Sequence, residues 1–364
     1  MGIQISLATA TDDAGIRGLL RREPVPGRIA ISYEREPEFS IGCRATGDNA
    51  IVLVARDVDS GATVGVACRS EREVYVNSAP MRLGYLGQLR IDRRYRGRWL
   101  VSRGYSQLKR LHDENPLPGY LAAVTAGNRV AAGILVEKPR RFFPAFHRVA
   151  DYCTLALETR AATRAAGIAS ATHSDIPEII RFLRSEGPRR QFFPVWTEER
   201  LMALTGPLGL RIGDVQIARR KGNITGLMAV WDQSAYKQNV VHSYSGWMRL
   251  AAPIYNAGAP WLQRPRLPKR GEKIRNGYAA LVAITHDDEA VFRDLLRATL
   301  DRAATSGLDY LLLGLDARDP LLAGARESPH IRYESRLYLA AWDKGGHLHA
   351  RLDSRPSYVE IATL

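Results

Sequence analysis

The chain has 364 residues, more than one hydrophobic core usually organises, and 45% of them are hydrophobic and 25% charged, as in ordinary soluble globular proteins. Its formal net charge of +14 asks for an anionic partner or reflects an arginine-rich composition, and carries no information about fold. No apolar run approaches the ~20 residues of a membrane helix, and the N-terminus lacks the basic-then-apolar order of a secretion signal, so the expected location is cytoplasmic, with no membrane partner.

The N-terminal hexapeptide Met1-Gly2-Ile3-Gln4-Ile5-Ser6 fits a myristoylation pattern, but residues 3–8 alternate as a strand that would hold Gly2 against the fold. Cys43, Cys68 and Cys153 are widely spaced and odd in number, which predicts buried thiols rather than disulfides or a zinc site. The eight histidines show no paired ligand spacing, and no metal is expected. Basic residues are spread along the chain and aromatics do not interleave with them, which argues against nucleic acid as partner.

In chain order, strand 3–8 is followed by a short helix capped by Thr11 or Asp12 and ended by Pro24, Pro26 and Gly27. A polar loop, "SYEREPEF" (32–39), leads to strands 50–56 and 62–69, joined by a turn holding Asp59-Ser60-Gly61. A longer strand spans 81–92. A helix from about Arg98 to His112, a strand at 119–126 and a helix at 128–137, ended by Pro139, come next. Residues 146–159 close this half as one or two strands, and "TRAATRAAG" (159–167) reads as a connection.

The order then recurs. Strand 168–172 precedes a helix at 176–186 capped by Ser174 and Asp175, and a second helix follows Thr197. Strands 214–220 and 223–232 flank a Lys-Gly turn, and a Gly- and Pro-containing stretch (245–277) interrupts the pattern. Strand 278–285, helix 287–306, strand 309–316, a short helix at 319–325 and a closing strand at 336–343 complete it, before a tail. An element order that occurs twice predicts an α/β protein of two similar units, 1–158 and 168–364 with linker 159–167, each a mixed, mostly antiparallel sheet flanked by helices.

Strand 81–92 ends in "IDRRYRGRWLVSRGYSQL" (91–108), where Arg and Gly open an amphipathic helix. A helix start offers unpaired N–H groups and about half a positive charge, which suits a phosphate. Arg96 and Arg98 add forked donors. An ordinary loop with solvated arginines fits this stretch equally well.

The flanks widen the match. Ile91-Asp92, Tyr95-Arg96-Gly97-Arg98 and Leu100 stand in register with the strand–turn–helix of the GNAT superfamily of N-acetyltransferases, and Asn128, Ala131, Leu135, Glu137 and Lys138 resemble its Asn-led helix. The resemblance implies a GNAT fold and acetyl-CoA, or another acyl-CoA, as cofactor. It places the cofactor against Leu89, Arg90, Ile91, Arg96, Gly97, Arg98, Trp99, Leu100, Val101, Asn128 and Ala131. It further implies direct attack by an amine, from a small molecule or a protein, on the thioester. Two departures stand out. Trp99 and Val101 replace small residues of the turn, where Trp99 is expected in the helix's first turn with right-handed geometry, packed on its neighbour. Val136 replaces the tyrosine that many family members use as general acid.

An attacking amine must lose a proton, and Glu36, then Glu34, in the "YEREPEF" stretch are the candidate bases, with Tyr85 and Tyr152 behind them. A solvated loop is the plain alternative. The second half replaces the basic turn with His286-Asp287-Asp288-Glu289, which suits a helix start but repels a pyrophosphate. Trp231, Asp232 and Gln233, near Lys237 and Gln238, are candidate acceptor contacts. Asp353, Arg355 and Glu360 in the tail suit an acceptor pocket, an interdomain contact or a homodimer contact. The rival readings are a catalytically silent GNAT-like module that senses CoA or a metabolite, and a nucleic-acid binder.

Overall fold

The computed structural model describes residues 2–97, 99–137, 142–160, 167–259, 261, 264–342 and 348–364. In chain order the first half forms β1 (Ile3–Leu7), α1 (Asp13–Arg22), β2 (Ile29–Glu34), α2 (Phe39–Thr46), β3 (Asp48–Asp57), β4 (Thr63–Val76), β5 (Ala79–Ile91), α3 (Leu100–Glu114), β6 (Tyr120–Thr125), α4 (Arg129–Ala132) running into a π turn, and β7 (Ala145–Glu158). The second half forms β8 (Ile168–Ser170), α5 (Ile176–Glu186), α6 (Glu198–Leu204), β9 (Val215–Arg220), β10 (Asn223–Trp231), β11 (Gln238–Tyr244), α7 (Met248–Gly258), β12 (Asn276–Ile284), α8 (Glu289–Thr305), β13 (Tyr310–Asp316), α9 (Leu322–Ala325) and β14 (His330–Ala341). Most of the linker expected at 159–167 lies outside the described residues.

One twelve-stranded sheet runs through both halves, in the order β1-β3-β4-β5-β6-β14-β7-β13-β12-β10-β9-β8. The last strand of each half crosses over: β14 pairs with β6, and β7 pairs with β13. The two exchanged strands lie antiparallel side by side, from His330 opposite Leu157 to Ala341 opposite Ala145. One hydrophobic core consequently spans both halves, joining Leu83, Leu121 and Leu155 to Phe192, Met228 and Leu311.

In each half a parallel strand pair diverges. β5 and β6 pair only at Gly84–Tyr85 with Tyr120–Leu121, and β12 and β13 only at Asn276–Tyr278 with Tyr310–Leu312. The second divergence is filled by the chain's own tail. Glu360 accepts the Leu281 N–H at 2.9 Å, and the Tyr358 hydroxyl accepts the Val282 N–H at 3.3 Å and donates to Glu360 at 3.0 Å. Gln191 and Arg355 fix the same tail to the first half: Gln191 donates to Asn77 and Asp353, and Arg355 donates to the Ser78 hydroxyl as well as to the Pro188 carbonyl. Asp353 and Arg355 thus hold the halves together within one chain, while Glu360 fastens the tail to β12 within the second half.

A separate two-stranded ribbon pairs β2 of the first half with β11 of the second, Glu34 opposite Gln238 and Ile29 opposite Tyr244. The sequence reading assigned residues 32–39 to a loop and saw neither this ribbon nor α2 and α7. Ile29, Ile31 and Tyr33 do alternate, but their partner strand lies some 200 residues away.

Candidate active site

The site begins where β5 leaves β6. A Cβ on Gly84 would lie 2.1 Å from the Tyr120 ring, so glycine there lets the two strands meet before they part. Past Tyr85, β5 carries an extra residue against β4: the register shifts between Val66 and Cys68, and Gln88 takes a left-handed φ of 56°. A bulge of this kind bends the strand and re-aims its backbone. The β5 edge towards the divergence has no partner strand there.

The turn after β5 is built on Asp92. Its carboxylate accepts the Arg94 backbone N–H at 3.0 Å, the Arg94 guanidinium at 2.8 Å and Arg22 at 3.3 Å, and the Arg94 contact holds its carboxyl well below the usual range. Tyr95 donates to Asp57 at 2.9 Å, and Arg96 pairs with the buried Glu23 at 2.8 Å. Gly97 has φ 83° and Trp99 has φ 57°, ψ 12°. Trp99 is therefore the left-handed residue preceding α3, not a right-handed one within it, and it is 69% exposed. Its side chain makes no capping hydrogen bond. The equivalent α8 is capped by Asp288, which accepts from Ala290 and Val291. Arg190 binds the adjacent Asp287 at 2.5 Å and Asp319 at 3.1 Å, so the acidic run of the second half is consumed by structure.

From the start of α3, a cavity of about 980 Å³ passes between the diverged strands and under the β2·β11 ribbon. Its inner wall is apolar, with Leu53, Leu86, Gly104, Tyr105, Leu108 and Val124. Of the residues placed against the cofactor by sequence, Leu89, Arg90, Ile91, Leu100, Val101, Asn128 and Ala131 line it. Asn128 also caps α4, accepting the Ala131 N–H at 3.0 Å. Arg96, Gly97 and Trp99 lie outside the wall, and Arg98 is not among the described residues. Val136 packs in the core cluster under α3 and β6.

The candidate bases depart from expectation. Glu36 is held by Arg17 and by Arg21, and Glu34 by Ser32 at 2.8 Å and Arg21 at 3.2 Å; neither lines the cavity. β2 explains this by parity: Ile29, Ile31, Tyr33 and Arg35 line the cavity, while the alternating Glu34 and Glu36 face α1. Tyr85 does line it, but burial pushes its hydroxyl up to about 12, which makes it a proton donor rather than a base at neutral pH. Tyr152 is fixed between the Gly314 and Val359 carbonyls. The acceptor contacts expected at Trp231, Asp232 and Gln233 are also structural. Buried Trp231 donates to the Leu208 carbonyl at 2.5 Å, Asp232 turns the chain at Ser234, and Gln233 donates to the Ala362 carbonyl at 2.8 Å.

The sequence reading named Lys237 and Arg90 apart from each other and left out Arg35; together they form the cationic end of the cavity. Lys237 lines it, donating to the main-chain oxygens of Ala362 at 3.2 Å and Leu364 at 3.0 Å, with its Nζ 4.4 Å from the Tyr278 ring centroid. Burial, reinforced by nearby Arg35, drives the Lys237 ammonium well below its ordinary value. Arg35 and Arg90 complete this end, beside Tyr33 and Asn239. The parity of β2 was the one available signal for Arg35. Among the described residues no group of three or more His, Cys, Asp or Glu is placed to hold a metal ion, and no helix is long and apolar enough to cross a membrane.

Neither a protein-family model nor a curated protein sequence matches the chain. Solved structures do. Saccharomyces cerevisiae N-myristoyltransferase with bound myristoyl-CoA is similar at a TM-score of 0.63 and 11% identity, over 93% of this chain and 82% of its own. A GCN5-related N-acetyltransferase from Sphaerobacter thermophilus is similar at a TM-score of 0.53 and 11% identity, over 100% of this chain and 98% of its own. Identities this low speak to fold, and with the diverging β5 and β6, the bulge at Gln88 and the turn into α3 they agree on one. The chain has the fold of the GNAT superfamily.

Proposed function

We propose that the protein is an N-acyltransferase that moves an acyl group from acyl-CoA to an amine. The observation that carries this reading is the continuous cavity: it joins the start of α3 and the β5 edge to the buried Lys237 under the ribbon. Its volume of about 980 Å³ sits at the upper end of ordinary ligand pockets, roughly 300–1,000 Å³. With its apolar inner wall, it supports an acyl chain longer than acetyl. The bound myristoyl-CoA of the yeast neighbour is in keeping with that length.

The residues fit such a donor. The α3 start supplies N–H groups and the positive end of a helix dipole for a diphosphate. When bound, acyl-CoA would supply the thioester carbonyl. The unpartnered β5 edge beyond Tyr85 offers backbone N–H groups to the carbonyl oxygen. Lys237, whose hold on its proton burial weakens, is the group to accept the proton that the attacking amine must lose, and Tyr85 keeps its proton to give to the leaving sulfur.

Thiol release from acyl-CoAs of two to sixteen carbons, with pooled amines, tests the reading. We expect turnover that rises with chain length beyond acetyl. The acid limb of the wild-type pH profile should track Lys237 ionisation and vanish in a residual-activity profile of Lys237→Met. Binding of acyl-CoA without release for any amine would select the silent sensor instead.

A further inference from the structure

Arg35 is 5% exposed and faces the cavity, yet among the described residues no carboxylate pairs with it; its hydrogen bond goes to the neighbouring Glu34 carbonyl at 2.9 Å. Arg90 lies on the same cavity, largely buried and likewise without a carboxylate partner. It donates to the Leu89 carbonyl at 2.9 Å, and its guanidinium sits 5.8 Å from the Tyr33 ring centroid, turned towards the ribbon. A guanidinium carries five donors and stays charged at any physiological pH. Burying one without a counter-ion is costly, and burying two that repel each other is more so. By contrast, the buried carboxylates of Asp12, Glu23, Asp92 and Asp319 are each paired with an arginine, and the buried Arg72, away from this cavity, is satisfied by oxygens of Thr46 and Thr363. Burial lowers the proton affinity of both guanidiniums, and Arg90 lowers that of Arg35 further, which fits a site left open for an anion.

We propose, building on the acyl-transfer reading, that the acceptor is an amine that also carries an anionic group, a carboxylate or a phosphate, seated between Arg35 and Arg90. The ribbon end of the cavity then holds the anion in forked hydrogen bonds and turns the amine towards Lys237 and the β5 edge. The C–N bond forms at the acyl carbon, the C–S bond breaks, and the product is an amide that retains the anion. A neutral amine of the same size would leave both guanidiniums unpaired, so the site selects against it.

The test uses the full chain with paired probes: the proteinogenic L-amino acids against their carboxamides, and O-phosphoethanolamine against ethanolamine. Thiol release and calorimetry on the CoA-saturated protein are both read. We expect release and binding with one anionic class, and at least about thirtyfold loss of kcat/KM when its anion is removed, the scale of losing one partner of a buried charged pair. The acid class that responds identifies carboxylate or phosphate. Arg35→Met should raise KM for the anionic acceptor and leave CoA affinity unchanged. It should also raise the melting temperature of the ligand-free protein, because an unpaired buried charge is replaced by an apolar chain. Equal turnover of acid and amide, or loss of CoA affinity in Arg35→Met, would overturn the proposal. Binding of the acid without thiol release would keep the anion site and refute acyl transfer, whereas release without preference would do the reverse.

Discussion

Glu34 and Arg35 are adjacent in sequence and end in opposite environments. Composition alone favoured the carboxylates of "YEREPEF" as bases, because a loop leaves every side chain free to reach a ligand. Once the stretch is a strand, successive side chains take opposite faces, and the parity that begins at Ile29 puts Arg35 inside. The cofactor turn was more legible, since Ile91, Leu100 and Asn128 sit in local motifs whose geometry depends on near neighbours. Trp99 was misjudged because its left-handed φ belongs to the residue before the helix, a shift of one position. Two expectations belong at this scale. The Asp12 carboxyl is held down at about 2, first by its hydrogen bond to Arg56. Its folded value lies below its unfolded one, so its contribution is complete above about pH 4 and is lost as the pH falls through about 2. Asp12→Asn should therefore lower stability at neutral pH and flatten the acid limb of a pH–melting curve. Gly84→Ala, whose Cβ would meet the Tyr120 ring at 2.1 Å, should cost about 1–3 kcal/mol in denaturant titration as the β5–β6 contact is forced apart.

The two parallel strand pairs show how similar elements acquire different uses. At β5 the diverging edge stays open and α3 starts on a residue whose side chain does not cap it. At β12 the tail supplies Glu360 and Tyr358 to the corresponding amides, and Asp288 caps α8. The acidic run at 286–289 was the sequence mark of this difference, with Asp288 on the helix start and Asp287 paired with Arg190. The tail's insertion had no sequence signal, because it depends on contacts between residues some 80 positions apart. Glu360→Ala should destabilise the fold by about 1–3 kcal/mol, since the buried Leu281 N–H loses its acceptor. Acyl-CoA affinity should remain unchanged. A titration that shows acyl-CoA affinity falling with it would mean that the second divergence takes part in binding.

At the scale of the molecule, the repeated element order was legible from periodicity and turn chemistry, which are local. The exchange of β7 and β14 was not, because a strand's sequence says which face is apolar and nothing about which neighbour it joins. The consequence is a main sheet and a main core shared by both halves, so heat or denaturant should give a single transition seen alike by tryptophan fluorescence and circular dichroism. Residues 1–160 alone should fail to fold, since β6 and β7 would each lose a central partner. The functional claim also spans the whole chain, because the cavity takes its floor, Arg35 and Arg90 from the first half and Lys237 and the β11 side of the ribbon from the second. A crystal structure with a long-chain acyl-CoA tests this most directly. The account expects the diphosphate against the start of α3 and the acyl chain along Gly104 and Leu108, with the thioester facing Lys237. A ligand bound outside this cavity, or none at saturating concentration, would contradict it.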